Sequence, residues 1–154
     1  MKARDVMTTR VLSVGPDAST RDVAKILEHN HISAVPVLDG NGAPLGMVSE
    51  GDLVGRDELT RAARREWWLT LLAEGETLSP IFLASLRSLA RPVQEVMSAP
   101  AITVGEDTDI TEVARLLIHH RIKRVPVLRD RRVVGIVSRA DLVEALSAQL
   151  EEKR

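Results

Sequence analysis

The sequence predicts an α/β fold made of two copies of one small module with a helical insert between them. The first reason is an internal repeat, because residues 123–128 repeat residues 33–38 with two substitutions. The second is that distant matches, such as Val6 with Val96, keep the same offset of 90 residues. The third is that each copy alternates short apolar runs with one stretch of helical periodicity.

The repeat divides the chain into a first module at 1–54, an unrepeated insert at 55–92 and a second module with a C-terminal helix at 93–154. A module of about fifty residues buries too little surface to be stable alone. We therefore expect the two modules to depend on each other.

Composition excludes several classes of function. The chain has no cysteine, so it lacks disulfides, thiolate metal sites and cysteine nucleophiles. Its net charge of −1 disfavours a broad cationic surface for nucleic acids. Neither a signal peptide nor an apolar run long enough to span a membrane is present, which predicts a cytoplasmic protein.

The first module should open with a turn of helix at 2–7 and a short extended run at 11–14. Ser19 followed by Asp22 is a capping-box pattern, and it predicts a helix that ends near Asn30. The apolar side chains at helical spacing in this helix are Val23, Ile26 and Leu27.

Two strands and a helix should complete the first module. Residues 32–38 are β-branched and apolar and predict a buried strand, and residues 45–48 predict a second strand before a helix that Ser49 opens. Between them, the glycines and asparagine of 39–42 accept positive φ and favour a turn. The second module should repeat this order at 102–104, 110–120, 124–128, 133–137 and 140–149.

Pro36 and Pro126 stand inside the predicted strands, where each removes a backbone donor. This indicates either an edge strand or an open flank that a ligand occupies, and the sequence leaves both interpretations open.

The insert should form a helical hairpin over 57–91. Its first helix carries Trp67 and Trp68, whose side chains point about 100° apart, so both cannot face one narrow core. One tryptophan could pack on the modules while the other meets a second subunit, or both could be buried within the monomer.

Ser49 with Asp52, and Ser138 with Asp141, stand three residues apart at predicted strand-to-helix junctions. Such a junction suits an anion or a sugar hydroxyl. The alternative is a plain capping arrangement in which both side chains serve only the helix.

The doubled pattern of Val-Pro-Val, a turn, and a glycine-led strand ending in Ser-x-x-Asp resembles the tandem cystathionine-beta-synthase (CBS) domain family over residues 5–54 and 95–146. The insert at 64–69 resembles a bacterial subgroup of that family whose members often carry a further C-terminal domain, which a chain ending at Arg154 would lack.

The resemblance implies two β-α-β-β-α modules with two clefts that bind AMP, ADP, ATP, NAD or S-adenosylmethionine. Asp52 and Asp141 would then hold ribose hydroxyls, with Ser49 and Ser138 near the ribose or phosphate. The base pockets would be lined by Leu12, Ile102 and the Val-Pro strands with Ala34, Pro36 and Pro126. The resemblance also implies a regulatory homodimer that needs no cofactor and is not an enzyme.

Charge separates the two predicted clefts. Lys123 and Arg124 replace Ser33 and Ala34, and charge-assisted hydrogen bonds favour a phosphate beside them. We therefore expect the cleft of Asp141 to bind the phosphorylated ligand. The alternative is that these basic side chains form a solvated strand edge.

Other functions have weaker support. The four histidines, His29, His31, His119 and His120, lie near predicted helix C-termini without an acidic cluster, which disfavours a metal site. A protein-interaction scaffold that uses the insert is the runner-up to nucleotide binding. Nucleic-acid binding through the basic run at 121–132 is disfavoured by the scarcity of aromatic side chains.

Overall fold

The computed structural model describes residues 1–54 and 91–154. Apart from its last residue, the predicted hairpin at 57–91 lies outside the described residues, and so do Trp67 and Trp68. Element labels below count the described elements only.

The first module contains the elements that the sequence predicts, apart from the extended run at 11–14. Helix α1 spans Ala3–Val6, α2 spans Thr20–Asn30, strands β1 and β2 span Ala34–Leu38 and Pro44–Ser49, and α3 begins at Glu50 and is described to Val54. The predicted capping box of α2 is confirmed, because Ser19 Oγ accepts from the Asp22 N–H at 3.1 Å and the Asp22 carboxylate accepts from the Ser19 N–H at 3.4 Å.

The second module repeats the order with one clear extension. A 3-10 turn at Val93–Glu95 precedes β3 at Val104–Gly105, α4 at Ile110–His119, β4 at Arg124–Arg129, β5 at Arg132–Ser138 and α5 at Arg139–Glu152. Helix α5 runs three residues past the predicted end at Gln149.

Each module has an antiparallel hairpin flanked by a very short parallel neighbour. Strand β1 pairs with β2, and β4 lies between β3 and β5. Both hairpins shift register at the same repeat position, after Val37 and after Val127. The shared irregularity shows that the repeat extends to the backbone geometry.

Pro36 and Pro126 limit the length of this parallel pairing. The Val14 N–H donates to the Pro36 carbonyl at 3.1 Å, and the Leu38 N–H donates to the Val14 carbonyl at 2.9 Å. The next hydrogen bond of this parallel pairing would run from the N–H of residue 36 to the Leu12 carbonyl. Proline has no N–H, so this bond cannot form. The predicted strand at 11–14 is therefore reduced to a single bridge at Val14.

The edge-strand interpretation is wrong for Pro126, because β4 is the central strand of its sheet. By the repeat, Pro126 is the counterpart of Pro36 and faces the residues just before β3. The chain leaves the sheet there, at Ile102.

The segment that precedes each module in the sequence packs on the other module. Residues 1–8 pack on the second module, where Thr8 and Ile136 trade backbone hydrogen bonds of 2.9 and 3.0 Å. Residues 91–98 pack on the first module, where Met47 and Ser98 do the same at 3.0 and 2.8 Å. We call these segments the straps, and they join the modules into one unit.

The straps complete both cores. Ala3 is fully buried in the cluster of the second module, and Val93 is fully buried in that of the first. The remaining core is mostly valine, leucine and isoleucine from the strands and helices. The expected dependence of each module on the other follows from this exchange.

Candidate ligand-binding cleft

A cavity of about 330 Å³ lies between the two modules. Its wall in the first module comes from β1, β2 and the start of α3, and includes Ser33, Ala34, Met47, Ser49, Glu50 and Asp52. The cavity is therefore built around the Ser-x-x-Asp motif of the first module.

The opposite wall belongs to the second module. It comes from the segment before β3 and the segment that leads into β4, and includes Pro100, Ile102, Arg121, Ile122, Lys123 and Arg124. The proline-imposed departure of the chain at Ile102 brings this side chain into the wall.

Ser49 and Asp52 cap α3, as the capping interpretation predicts. Asp52 Oδ2 accepts hydrogen bonds from the Ser49 N–H at 2.9 Å and the Ser49 hydroxyl at 3.1 Å. No residue that the structure describes donates to Oδ1 of Asp52. Within the described residues, capping therefore uses one carboxylate oxygen, and the other accepts no hydrogen bond.

The second copy of the motif is built in the same way. Asp141 Oδ2 accepts from the Ser138 N–H at 2.8 Å, and Ser138 Oγ accepts from the Asp141 N–H at 3.2 Å. The two motifs thus share one geometry at equivalent helix starts.

Arg124 is the half-buried cation of the cavity. One of its terminal nitrogens donates to Ser33 Oγ across the module boundary at 3.2 Å. Its Nε is buried and has no hydrogen-bond acceptor among the described residues. Burial lowers the pKa of the guanidinium, while the carboxylates of Asp141 and Glu50 oppose that shift. The side chain remains charged because arginine titrates far above neutral pH.

The charges of the cavity favour an anion near its second-module wall. Arg121, Lys123 and Arg124 lie on that wall, and Glu50 and Asp52 lie on the other. Glu50 is buried, whereas Arg121 and Lys123 are exposed. Positive charge is thus concentrated on one side and carboxylates on the other.

The structure brings together six of the residues that the sequence predicts for a binding site: Ala34, Ser49, Asp52, Ile102, Lys123 and Arg124. The other five, Leu12, Pro36, Pro126, Ser138 and Asp141, do not line this cavity. Leu12 packs against the first core, and the two prolines are buried in their strands.

The structure places two of the predicted basic residues in a cavity other than the expected one. Lys123 and Arg124 were expected beside Asp141, but the cavity that they line contains Asp52. The reason is that the segment leading into β4 faces the first module, as the hydrogen bond from Arg124 to Ser33 shows. Arg124 still lies close enough to Asp141 for their charges to interact.

Sequence reasoning missed Glu50, Met47, Arg121 and Ile122 in the lining. Glu50 adjoins Ser49 in the motif, so its position was available from the sequence. The contribution of 121–122 depends on how the modules face each other, which the sequence does not encode locally.

The rest of the basic run lies at the β4–β5 turn. Arg129, Arg131 and Arg132 are exposed and do not line the cavity. Arg129 forms an ion pair with Glu106 at 2.6 Å, and its hydrogen bond is the main cause that lowers the pKa of Glu106. This part of the run matches the solvated-edge interpretation.

Two further searches cover residues 1–54 and 91–154. No cluster of three or more His, Asp or Glu side chains there could hold a metal ion. In the same residues, no helix combines the length and apolar character needed to cross a bilayer.

Comparison with protein families matches the CBS domain model to residues 3–58 and 93–148. The chain belongs to the CBS domain family. This confirms the tandem CBS pair expected from the repeat, and CBS domains are typically regulatory, non-catalytic modules. The subgroup with a tryptophan-bearing insert stays a prediction.

The CBS pair has relatives and structural neighbours of similar size. An uncharacterised protein of Methanocaldococcus jannaschii is 30% identical over 168 residues, covering 95% of this chain and 91% of the relative. The structure of CBSX2 in complex with AMP is 26% identical, with a TM-score of 0.70 over 99% of this chain and 98% of that one.

A second solved structure is the CBS domain pair of protein MJ0100 in complex with 5′-methylthioadenosine and S-adenosyl-L-methionine. It is 23% identical, with a TM-score of 0.69 over 97% of this chain and 98% of that one, so the likeness concerns the fold. Both neighbours confirm the predicted α/β architecture of the CBS pair.

Proposed function

We propose that this CBS pair is a regulatory module that binds an adenosine-containing nucleotide in the cavity between its modules. The observation that carries the proposal is the cavity itself. It sets the Asp52 carboxylate, whose Oδ1 accepts no hydrogen bond from the described residues, opposite a row of cations, with apolar side chains between them. Those are the groups that a ribose, a phosphate and a base need.

Asp52 is proposed to hold the ribose. An ionised carboxylate only accepts hydrogen bonds, and its two oxygens can take several donors. Since capping occupies Oδ2, the Oδ1 atom can accept from a sugar hydroxyl without weakening the start of α3.

Arg124, Lys123 and Arg121 are proposed to hold the phosphate. Hydrogen bonds between charged partners are about twice as strong as neutral ones, and a guanidinium can offer two parallel donors. The buried Nε of Arg124, which has no acceptor in the described part of the chain, would gain one.

The apolar part of the cavity suits a base. Ile102 and Ile122 of the second module face Ala34 and Met47 of the first. The cavity of about 330 Å³ lies at the lower end of the range for small-molecule sites, which favours a mononucleotide over NAD. Among the mononucleotides, AMP is the first candidate. The complex of CBSX2 with AMP supports this choice.

The second Ser-x-x-Asp motif is proposed to serve an equivalent cleft. Ser138, Asp141 and Leu12 are the repeat counterparts of Ser49, Asp52 and Ile102. Regulation would then follow if the ligand binds one packing of the modules better than another, since it shifts the equilibrium only by that difference in affinity.

Binding is tested by calorimetry with AMP, ADP, ATP, NAD and S-adenosylmethionine. We expect AMP to bind best, and Asp52→Asn to weaken it by at least about tenfold, or ~1.4 kcal/mol. Asp130→Asn is the matched control, because Asp130 is exposed in the β4–β5 turn and should leave affinity unchanged. Absence of binding by all five compounds, or equal affinity in both variants, would refute the proposal.

We also propose a homodimer. On α5, Val143, Leu146 and Leu150 are 63%, 54% and 69% exposed, and their spacing puts them on one stripe. Light scattering should report a dimer for the unaltered protein and a monomer for Leu146→Glu. The exposed Glu144→Gln on the same helix is the control. A monomer in every case would remove the dimer from the proposal.

A further inference from the structure

Four residues of the cavity form two pairs, and the members of each pair occupy equivalent positions in the two copies of the repeat. Ser33 corresponds to Lys123 and Ala34 corresponds to Arg124, and all four line the cavity. Both members of each pair line the same cavity, and Arg124 contacts Ser33 of the other pair at 3.2 Å, so the axis that relates the two modules passes between them. These four residues therefore stand between the cleft of Asp52 and the equivalent position at Asp141.

Other lining residues, such as Asp52, Ile102 and Arg121, have repeat counterparts that do not line this cavity. The repeat takes Asp52 to Asp141, Ile102 to Leu12 and Arg121 to His31. Each cleft thus has its own carboxylate and its own apolar side chain, whereas the axis residues are common to both.

Arg124 is the axis residue that can act on both sides. Its guanidinium is held near the axis by the 3.2 Å hydrogen bond to Ser33. The carboxylates of Asp141, at the start of α5, and Glu50, at the start of α3, both act on its charge. Its counterpart Ala34 carries no charge, so the pair has one guanidinium for two clefts.

We propose that Arg124 is a phosphate ligand shared by the two clefts, so that an anionic nucleotide in one cleft weakens the binding of a second in the other. The inference rests on the proposed function and adds to it a rule of occupancy. One chain would bind one phosphorylated nucleotide well and a second one poorly.

The physical reason is that a guanidinium occupies one position at a time. Its planar set of donors can meet a phosphate in either cleft, and its buried Nε has no competing acceptor among the described residues. A ligand that recruits Arg124 removes it from the other cleft and leaves a second phosphate without that cation. Lys123 is exposed, so its charge is screened by solvent and distinguishes the clefts less.

The test compares AMP with adenosine, which lacks the phosphate, by calorimetry on the full chain. We expect two adenosine molecules to bind with similar affinity. The second AMP should bind at least about fivefold more weakly than the first, a gap within the usual range of coupled sites. In Arg124→Gln, the first AMP should bind more weakly and the gap should narrow, while adenosine binding stays unchanged.

Arg132→Gln is the matched control. Arg132 is exposed at the start of β5 and does not line the cavity, so the loss of its positive charge should leave both AMP affinities and the gap between them unchanged.

The outcomes separate the two proposals. If neither compound binds, the proposed function fails and the inference fails with it. If both bind but the AMP gap persists in Arg124→Gln, only the inference is overturned. A gap of the same size for adenosine, or a single site for both compounds, also overturns it.

Discussion

Gly46→Ala tests how tightly the second strap crosses the first module. A Cβ at Gly46 would lie 2.6 Å from the Ser98 carbonyl oxygen and 2.8 Å from Met97 Sδ. The carbonyl is backbone, and the hydrogen bonds between Ser98 and Met47 hold it in place. The added methyl group therefore cannot be accommodated by turning a side chain.

The expected cost follows from these contacts. Overpacking a close contact costs about 1–3 kcal/mol, and replacing glycine by alanine returns about 0.4–1 kcal/mol through the unfolded chain. A backbone clash belongs at the upper end, so we expect a net loss of about 2 kcal/mol, which lowers Tm by roughly 4–8 °C in a chain of this size.

The assay is thermal and urea unfolding followed by circular dichroism, with two glycine comparisons. Gly15→Ala meets no atom within 4 Å and should be neutral or slightly stabilising. Gly135→Ala, the repeat counterpart, meets Met7 Sδ, and Met7 Cγ at 2.8 Å. Because that side chain can turn aside, it should cost less. Equal Tm values for Gly46→Ala and Gly15→Ala would show that the strap does not lie against β2 as described.

Three further predictions concern the cap, the second strap and an ion pair. Ser19→Ala removes the N-cap of α2 and should lower the free energy of unfolding by about 1 kcal/mol in urea, whereas no change would contradict the capping geometry. Val93→Ala should cost about 2 kcal/mol because this side chain is fully buried in the core of the other module, and a loss no larger than that of exposed Gln94→Ala would contradict the exchange. The hydrogen bond from Arg129 holds the pKa of Glu106 below its ordinary 4.5, so its stabilisation is complete above that pH and is lost as the pH falls through the lower folded value. In an NMR titration, Arg129→Gln should raise the midpoint of Glu106, and an unmoved midpoint would exclude the pair.

Local chemistry made much of the fold predictable. The Ser19–Asp22 box fixed the start of α2, and the glycines and asparagine of 39–42 fixed a turn in which Asp39 Oδ1 accepts from the Asn41 and Ala43 N–H groups. These signals act within a few residues, so they survive without knowledge of the tertiary structure. The repeat then transferred the same assignments to the second module.

The arrangement of the modules was not predictable in this way. Residues 1–8 and 91–98 match each other in the repeat, which shows that they share an environment but not that each packs on the opposite module. The prolines illustrate the same limit. The sequence shows that each proline lacks an N–H. Only the sheet order shows that this missing donor ends the short parallel pairing beside the hairpin.

The candidate site combines both cases. The resemblance to the CBS family pointed to Asp52 and Ile102, and the charge of the side chains pointed to Lys123 and Arg124; all four line the cavity. Their grouping into one cavity depends on contacts between residues far apart in the sequence. The expected pairing of Arg124 with Asp141 came from reading each module separately, whereas the described cavity sets Arg124 opposite Asp52.

The exchanged straps constrain how this protein is made. Val93 must be synthesised before the core of the first module can be completed. Ala3 meets its core partners only after the second module has been synthesised. Contacts between such distant residues slow folding. Removing residues 1–8 would therefore destabilise the second module, although those residues precede it in the sequence by about ninety positions.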